Sequence, residues 1–148
     1  MTTVAECAPD DGLLIALITA MTAELVVVYD LPVDAQPPPL RPGTRYLLAW
    51  DGERAIGCCA LEPVEPGVYE LKRMFVAPDA RGSGVSGELV TESERLAREA
   101  GAARIRLETG RRQPAARRLY ERAGYRRVPN FPPHEGDPES VCFEKPLV

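Results

Sequence analysis

The fold of this chain is decided by the stretch Leu71-Lys72-Arg73-Met74-Phe75-Val76-Ala77-Pro78-Asp79-Ala80-Arg81-Gly82-Ser83-Gly84. It begins as a run typical of a β-strand, which Pro78 ends, and it then turns through glycines into a helical pattern. Glycines leave the N–H groups of a helix N-terminus uncovered, and the helix dipole adds positive potential there. The sequence therefore predicts a strand at 69–76, an anion-binding turn at 81–87 and a helix at 82–101.

The rest of the chain alternates between strand and helix patterns. Further strands are predicted at 2–7, 45–50, 54–61, 104–108, 125–128 and 141–147, with a hairpin turn at 51–52. Further helices are predicted from about 11 to 28, as one helix or two in tandem, and at 114–123. Residues 31–43 hold five prolines and are predicted to form a loop. This order predicts a mixed α/β fold with a largely antiparallel sheet, in a single domain spanning 1–148.

Composition restricts the possible functions. With 148 residues, 45% of them apolar, the chain can bury a core, and its net charge of -4 argues against a nucleic-acid surface. The cysteines form no C-x-x-C pair and His134 is the one histidine, so we expect no metal site. We expect free thiols in a reducing compartment, with Cys58 and Cys59 on opposite faces of a strand. The cysteines are Cys7, Cys58, Cys59 and Cys142.

The N-terminal region predicts neither a secretory signal nor a membrane span. It carries Glu6, Asp10 and Asp11 in place of a basic segment. The apolar stretch 13–29 is 17 residues long and is interrupted by Glu24. We therefore expect a soluble, cytoplasmic protein with no membrane partner.

Nine arginines lie between residues 104 and 127, and two interpretations of them are open. Most of them are solvated charges on two surface elements, or together they draw in an anionic ligand such as a phosphorylated cofactor. The glycine turn also allows two interpretations, because 82–87 fits the G-x-G-x-x-G pattern of dinucleotide-binding proteins. We favour a different anion site, since a strand meander precedes the turn and 77–81 separate it from the strand.

The chain resembles the GNAT superfamily of acyl-CoA-dependent N-acetyltransferases. The stretch quoted above is similar to the family's strand, proline and R-x-x-G-x-G/A turn, with Ser86 in the last place of the turn. Residues 113–125 are similar to its N-x-x-A-x-x-L-Y-x-x-x-G-F/Y block, with Gln113 in the asparagine place. The ending 142–145 also resembles that of bacterial members of the family. The resemblance implies a mostly antiparallel sheet of six or seven strands, helices on both faces, and a splayed strand pair that holds acetyl-CoA.

The resemblance also implies the residues that bind the cofactor. Main-chain groups of Met74, Phe75 and Val76 pair with the pantetheine arm like an added strand. Gln113 and Ala116 border the arm further along. The pyrophosphate is held by N–H groups of the turn, which are those of Arg81, Gly82, Ser83, Gly84, Val85 and Ser86. The charge of Arg81 lies at the mouth of that turn.

Catalysis is expected to use a tyrosine and a carboxylate. Tyr120 falls on the family's tyrosine and is the candidate acid that protonates the leaving thiolate, although its spacing also suits a core residue. Glu70 is the candidate base, acting through water, or else a solvent-facing strand residue. Glu108 is the second choice. A main-chain N–H of 74–76 is expected to hold the oxyanion.

The acceptor is expected to meet the N-terminal helix and the proline-rich loops. Glu24, Tyr29 and Trp50 offer charge and aromatic surface for a cation, and His134, with Phe131, lies in a loop that covers the pocket. For each of them an ordinary surface or core role is the alternative. The predicted function is acetyl transfer from acetyl-CoA to a primary amine of a small molecule or peptide. A non-catalytic acyl-CoA sensor and a nucleotide-dependent oxidoreductase are the alternatives, and the resemblance also allows a homodimer.

Overall fold

The architecture is one twisted sheet with helices on both faces, in a computed structural model that describes residues 2–148. The strands are β1 (Thr2–Cys7), β2 (Arg45–Asp51), β3 (Arg54–Glu65), β4 (Val68–Val76), β5 (Arg104–Gly110), β6 (Arg126–Val128) and β7 (Ser140–Pro146). The α-helices are α1 (Gly12–Tyr29), α2 (Val85–Glu99) and α3 (Pro114–Arg122). These elements confirm the predicted order of strands and helices.

The sheet has seven strands within the described residues, in the spatial order β1-β2-β3-β4-β5-β7-β6. Four consecutive strands form an antiparallel meander, and β5, β7 and β6 also pair antiparallel. Within residues 2–148 the one parallel pair is β4 with β5, and the connection between these two strands contains α2. The predicted mixed, mostly antiparallel fold is therefore confirmed, and its single parallel junction marks the middle of the sheet.

Each face of the sheet buries its own apolar cluster, because side chains alternate along a strand. Cys58 points to the face that α1 covers, and Cys59 points to the face that α2 and α3 cover, as predicted. We call these the α1 face and the α2 face. The α1 cluster contains Leu14, Leu17 and Met21 of the helix with Leu48, Cys58 and Phe75 of the sheet. The larger α2 cluster includes Leu89, Leu96, Leu71, Leu107, Tyr120 and Phe143.

The first helix is a single continuous helix and not two in tandem. Asp11 caps it by accepting hydrogen bonds from the N–H groups of Leu13 and Leu14, at 2.9 and 3.3 Å. Asp30 ends it in the left-handed conformation, with φ 51°. By length and composition alone α1 could cross a membrane, contrary to the sequence-based expectation. It packs Leu14 onto the sheet and is thus a helix of the folded domain.

The helix predicted at 82–101 begins later than expected, at Val85. Gly82 and Gly84 have φ angles of +83° and +87°, which a right-handed helix excludes and which glycine adopts without strain. The two glycines thus form the turn that precedes α2.

Candidate active site

The parallel strands β4 and β5 separate partway along their length. They are paired from Val68 opposite Arg104 to Leu71 opposite Leu107, and no pairing continues beyond that point in the described sheet. β4 runs on to Val76, while β5 runs on to Gly110. Backbone N–H and C=O groups that face the gap are therefore available to another extended chain. This opening, which we call the splay, confirms the splayed strand pair that the sequence implied.

A bulge lies on β4 directly beyond the splay's starting point. Cys58 is opposite Phe75 and Ala60 is opposite Lys72, so Arg73 and Met74 share the single partner Cys59. Arg73 has φ +55°, a left-handed conformation that is strained for a residue with a β-carbon. The bulge changes the direction of the β4 backbone at Met74, which is where sequence analysis places acyl-group binding.

The glycine turn follows the end of β4 and is fixed there by hydrogen bonds. The Ala77 N–H donates to the Ile56 carbonyl at 2.8 Å, and the Arg81 Nε–H donates to the Val76 carbonyl at 3.0 Å. The Ser83 hydroxyl donates to the Ala80 carbonyl. No side chain caps α2, whose first helical bond runs from Glu88 to Gly84. The N–H groups of residues 85–87 are thus free of helical partners and can receive an anion.

The Arg81 side chain is directed toward α1. It forms an ion pair with Glu24 at 2.8 Å, and its guanidinium lies over the Phe75 ring at 5.4 Å. Both members of the pair are about half exposed. Glu24, a predicted acceptor residue, therefore lies beside the predicted pyrophosphate site, and its charge opposes that of Arg81.

Tyr29 packs against the end of β5. Its hydroxyl lies so close to Gly110 that a β-carbon at residue 110 would be 1.5 Å from the oxygen. The Gln113 amide Nε2 donates to the same hydroxyl at 3.4 Å, and the Arg112 guanidinium lies 5.4 Å from the ring. The predicted cofactor residue Gln113 and the predicted acceptor residue Tyr29 are thus in contact at the end of β5.

Tyr120 is buried in the α2 cluster, between the rings of Tyr125 and Phe143 at centroid distances of 5.8 and 6.4 Å. Burial raises the pKa of Tyr120 well above its ordinary value, and the Cys59 thiol adds to the effect. The phenol therefore stays protonated at neutral pH. Cys59 is the residue opposite the β4 bulge, so Tyr120 lies on the α2 side of the bulge.

Four charged side chains form a network on the α1 face, at the closed end of the splay. Lys72 Nζ lies 2.8 Å from Glu62 and 3.5 Å from Glu70, and Arg106 Nε lies 2.9 Å from Glu70. The Arg41 N–H also donates to Glu62 at 2.8 Å. We call Glu62, Glu70, Lys72 and Arg106 the charged row. Glu70, the predicted base, is buried and has a cation on each carboxylate oxygen.

A second polar group lies further along β5 on the same face. The Ser140 hydroxyl donates to Glu108 at 2.8 Å, and His134 Nε2 lies 4.0 Å from the other Glu108 oxygen. The side-chain amide of Asn130 donates to the carbonyls of His134, Asp137 and Ser140, each at 3.2 Å. These bonds fix the segment between β6 and β7 over the sheet. His134 is therefore held beside Glu108, the second-choice base.

Three of the predicted site residues pack in or against the apolar clusters. Trp50 packs against the α1 cluster on β2, two strands from the splay, and the structure does not bring it to the other candidates. Ala116 is half buried in the first turn of α3 and packs against the α2 cluster. Val85 is also buried there, although its N–H belongs to the turn.

The sequence analysis did not single out Arg106 or Lys72. A strand pattern could have indicated them, because Arg106 alternates with the core residues Ile105 and Leu107 and so must face the other side of the sheet. Of the arginine run, four residues form ion pairs with glutamates, and three others line a cavity of about 310 Å³. The paired residues are Arg104, Arg106, Arg112 and Arg126, and the cavity residues are Arg111, Arg117 and Arg127.

Comparison with known proteins assigns this geometry to a family. The acetyltransferase (GNAT) family model matches residues 16–125. An IAA acetyltransferase of Azospirillum brasilense is 39% identical over 108 residues, which cover 72% of this chain and 71% of that protein. A structure from Klebsiella pneumoniae subsp. pneumoniae MGH 78578, assigned as an acyl-CoA N-acyltransferase, is 36% identical, with a TM-score of 0.85 over 100% of this chain and 99% of that one. A Bacillus subtilis acetyltransferase in complex with CoA shares the fold at 17% identity, with a TM-score of 0.74 over 100% of both chains. The chain therefore belongs to the acetyltransferase (GNAT) family.

Proposed function

We propose that this protein transfers the acetyl group of acetyl-CoA to a primary amine of a small molecule or peptide, by direct attack through a tetrahedral intermediate. The observation that carries the proposal is the splay, which opens beyond Leu71 and Leu107 and leads along β4 to the free N–H groups of α2. Membership of the acetyltransferase family supports it, as does the fold shared with a CoA-bound acetyltransferase. The protein is proposed to act in the cytoplasm.

The chain offers a polar cradle at one end of the splay and unpaired strand edges along it. Residues 82–86 would hold the pyrophosphate through their N–H groups, since two glycines with positive φ leave no side chain over them. The Arg81 N–H, which was predicted to join them, already donates to the Pro78 carbonyl at 3.4 Å. The main chain of Met74, Phe75 and Val76 would pair with the pantetheine arm. Gln113 and Ala116 would border the arm from α3. The cosubstrate supplies the activated acetyl thioester.

Direct attack is favoured over an acyl-cysteine intermediate because the thiols are not activated. Burial raises the pKa of Cys58 and of Cys59 to about 12, and it raises the pKa of Cys7 to about 11. Burial also raises the pKa of Cys142. A nucleophilic cysteine requires the opposite, a lowered pKa that yields a thiolate. The amine itself is therefore the proposed nucleophile.

Tyr120 is the proposed acid. Its phenol keeps its proton because burial raises its pKa, and no side chain among residues 2–148 accepts a hydrogen bond from it. It is thus available to protonate a thiolate that leaves on the α2 side of the bulge. A main-chain N–H of 74–76 would stabilise the oxyanion of the tetrahedral intermediate.

Glu108 is the proposed base, with His134 beside it, in preference to Glu70. Glu70 is buried and both of its carboxylate oxygens contact cations, so neither oxygen is free to approach the ammonium of an acceptor. Glu108 lies beyond the last β4–β5 pair, on the opened part of β5, and is partly exposed. It can therefore reach the ammonium of an acceptor directly or through one water molecule.

The proposal is tested first by binding and then by turnover. Acetyl-CoA should raise the melting temperature, whereas NAD should not, because residues 77–81 separate the glycine turn from β4, unlike the direct strand-to-turn connection of a dinucleotide site. Release of CoA thiol should then depend on an added amine, screened over amines, polyamines, amino acids and peptides. Stabilisation by NAD alone would overturn the proposal. Binding of acetyl-CoA without turnover for any amine would favour the alternative, a non-catalytic sensor.

A matched pair of variants tests the cradle itself. Ser86 is the second residue of α2, where a negative charge favours the helix dipole but repels a pyrophosphate. Ser86→Asp should therefore leave stability unchanged or higher and weaken acetyl-CoA binding about tenfold or more. Ser86→Asn has a similar shape without the charge and should bind nearly as well as the native protein. Equal binding by both variants would remove the pyrophosphate from this turn.

A further inference from the structure

We infer that Arg106 binds a carboxylate of the acceptor, so that the acceptor is an amine with a carboxylate close to its amino group, as in an amino acid. The inference rests on the proposed acetyl transfer and names the substrate class for the same site. It is carried by the position of Arg106, by the way its guanidinium is held, and by the charges around it.

Arg106 lies at the closed end of the splay. It is paired with Glu70, and the next pair along, Leu71 with Leu107, is the last before the strands separate. Its side chain projects from the α1 face, whereas Tyr120 lies in the cluster on the α2 face. An acceptor bound at Arg106 would therefore approach the splay from the side opposite to the proposed acid. The acceptor amine and the proposed acid would then lie on different sides of the thioester, so that neither blocks the other.

The guanidinium of Arg106 is fixed in place but incompletely used. Its Nε donates to Glu70 at 2.9 Å, and its plane lies 4.2 Å from the centroid of the Phe131 ring. The two terminal nitrogens, Nη1 and Nη2, donate no hydrogen bond to any residue of the described chain. Because the side chain is already ordered, binding a ligand costs it little further conformational entropy. Its two terminal nitrogens lie in one plane and can donate together to the two oxygens of a carboxylate.

Within the charged row, the cations are more exposed to solvent than the carboxylates. The side chains of Glu62 and Glu70 are 6% and 5% exposed, whereas those of Lys72 and Arg106 are 33% and 18% exposed. Two carboxylates thus form the floor, and what a ligand meets first is positive charge. An incoming carboxylate would bind with Lys72 adding its attraction from the neighbouring strand.

The charge balance favours an acceptor that is itself zwitterionic. The row is neutral as a whole, with two carboxylates and two cations, and Glu108 adds a negative charge two residues beyond Arg106 on the same face. Glu144, which lies opposite Arg106 on β7, is itself paired with Arg104 and Arg126. Residues two apart on a strand are about 6.7 Å apart. That spacing suits a carboxylate on Arg106 and an ammonium near Glu108 in a single small molecule. A phosphate dianion would instead meet a surface with no excess of positive charge.

The test compares matched acceptors in the thiol-release assay. Each amino acid of the panel is assayed beside its carboxamide, which keeps the amine and removes the negative charge. The native protein should prefer the free acid by about tenfold or more in kcat/KM, the effect of a charge-assisted bidentate contact. Equal use of acid and amide would overturn the inference, and so would preference for the amide.

Variants then assign the preference to Arg106. Arg106→Gln should abolish it and leave the KM for acetyl-CoA unchanged. Because this change leaves Glu70 with a weaker partner, the double variant Arg106→Gln/Glu70→Gln keeps the pair neutral if the single variant folds poorly. The control is Arg104→Gln, which removes the same charge from the same strand and face but contacts Glu65 and Glu144 away from the splay. A preference that survives in Arg106→Gln, or a raised acetyl-CoA KM, would also overturn the inference.

A binding readout separates this inference from the proposed function. If acetyl-CoA binds but no amine supports thiol release, acetyl transfer fails as the function. The amino acids and their carboxamides are then compared by thermal shift with CoA present. Stabilisation by the acids alone, lost in Arg106→Gln, would keep a carboxylate site at Arg106. Absence of that difference would reject it.

Discussion

Arg81 and Glu24 form an ion pair in which a single guanidinium nitrogen, Nη2, lies 2.8 and 3.1 Å from the two carboxylate oxygens. The residues are 57 positions apart, and the pair joins α1 to the turn before α2. It places a carboxylate beside N–H groups that are proposed to bind a pyrophosphate. Helix α1 thus adds a negative charge beside the proposed pyrophosphate site.

Glu24→Gln should tighten acetyl-CoA binding. The substitution removes a negative charge near the pyrophosphate and releases Arg81 from its partner. Because both side chains are about half exposed, the gain should be modest, about two- to fivefold in Kd at low salt and less at high salt. Calorimetric titration measures it. Glu65→Gln is the matched control, since Glu65 is also exposed and paired with an arginine, Arg104, but lies at the opposite end of the sheet. Weaker binding by Glu24→Gln would mean that the pair orders the turn.

Tyr120→Phe should lower kcat by about 10²-fold or more and leave the Kd for acetyl-CoA unchanged, because it removes only the proton donor. Since burial raises the pKa of Tyr120, the native enzyme should show no loss of activity from tyrosine ionisation up to about pH 10. Tyr125→Phe is the control. It removes a hydroxyl that donates to Glu94 at 2.9 Å in the same cluster, so it should lower stability and preserve kcat. Unchanged turnover in Tyr120→Phe would remove the phenol from the mechanism.

Glu108→Gln and Glu70→Gln should affect different kinetic constants. As the proposed base, Glu108 should show its effect in kcat, with a loss of about 10²-fold that a higher pH partly restores. Glu70→Gln should instead raise the acceptor KM and lower stability, because it loosens Arg106 and Lys72. Glu92→Gln, which removes a carboxylate paired with Arg95 on α2, should change neither constant. The reverse pattern, with kcat lost in Glu70→Gln alone, would return the role of base to Glu70.

Gly110→Ala should destabilise the fold because its β-carbon would occupy the position of the Tyr29 hydroxyl. The φ angle of Gly110 is not positive, so the backbone itself tolerates alanine there. We expect a loss of about 1–3 kcal/mol in the free energy of unfolding, measured with urea. The same change in a Tyr29→Ala background should cost close to nothing, since the clash is absent. Equal costs in the two backgrounds would show that the ring is not what excludes a side chain.

Arg73→Gly should be more stable than Arg73→Ala by about 1 kcal/mol, because glycine adopts a φ of +55° without steric conflict. Both substitutions lose the same contact of Arg73 with the Pro38 carbonyl, so the comparison isolates the backbone. At Arg95, in the middle of α2, the order should be reversed, with alanine better than glycine by about 1 kcal/mol. Urea unfolding measures all four. The same order at both positions would indicate that Arg73 carries no strain.

Much of the fold was predictable because its signals are local. Alternation of apolar residues predicted the strands, proline and glycine located their ends, and the glycine turn predicted an anion site before α2. The boundary of α2 was wrong by three residues, since a helical pattern does not reveal that Gly84 has a positive φ. The spacing of residues 113–125 also located Tyr120 on the buried side of α3.

By itself, then, the sequence determined the order of elements, the family resemblance and the position of the glycine turn. Only the tertiary structure decided which charges meet. Glu24 pairs with Arg81, Tyr29 fills the space at Gly110, and Glu70 is held between Lys72 and Arg106. The physical reason is the separation along the chain. Apolar periodicity can be seen within a few consecutive residues, whereas an ion pair depends on strand register and helix docking between segments that are far apart in the chain. The candidate acceptor site consists almost entirely of such distant pairs.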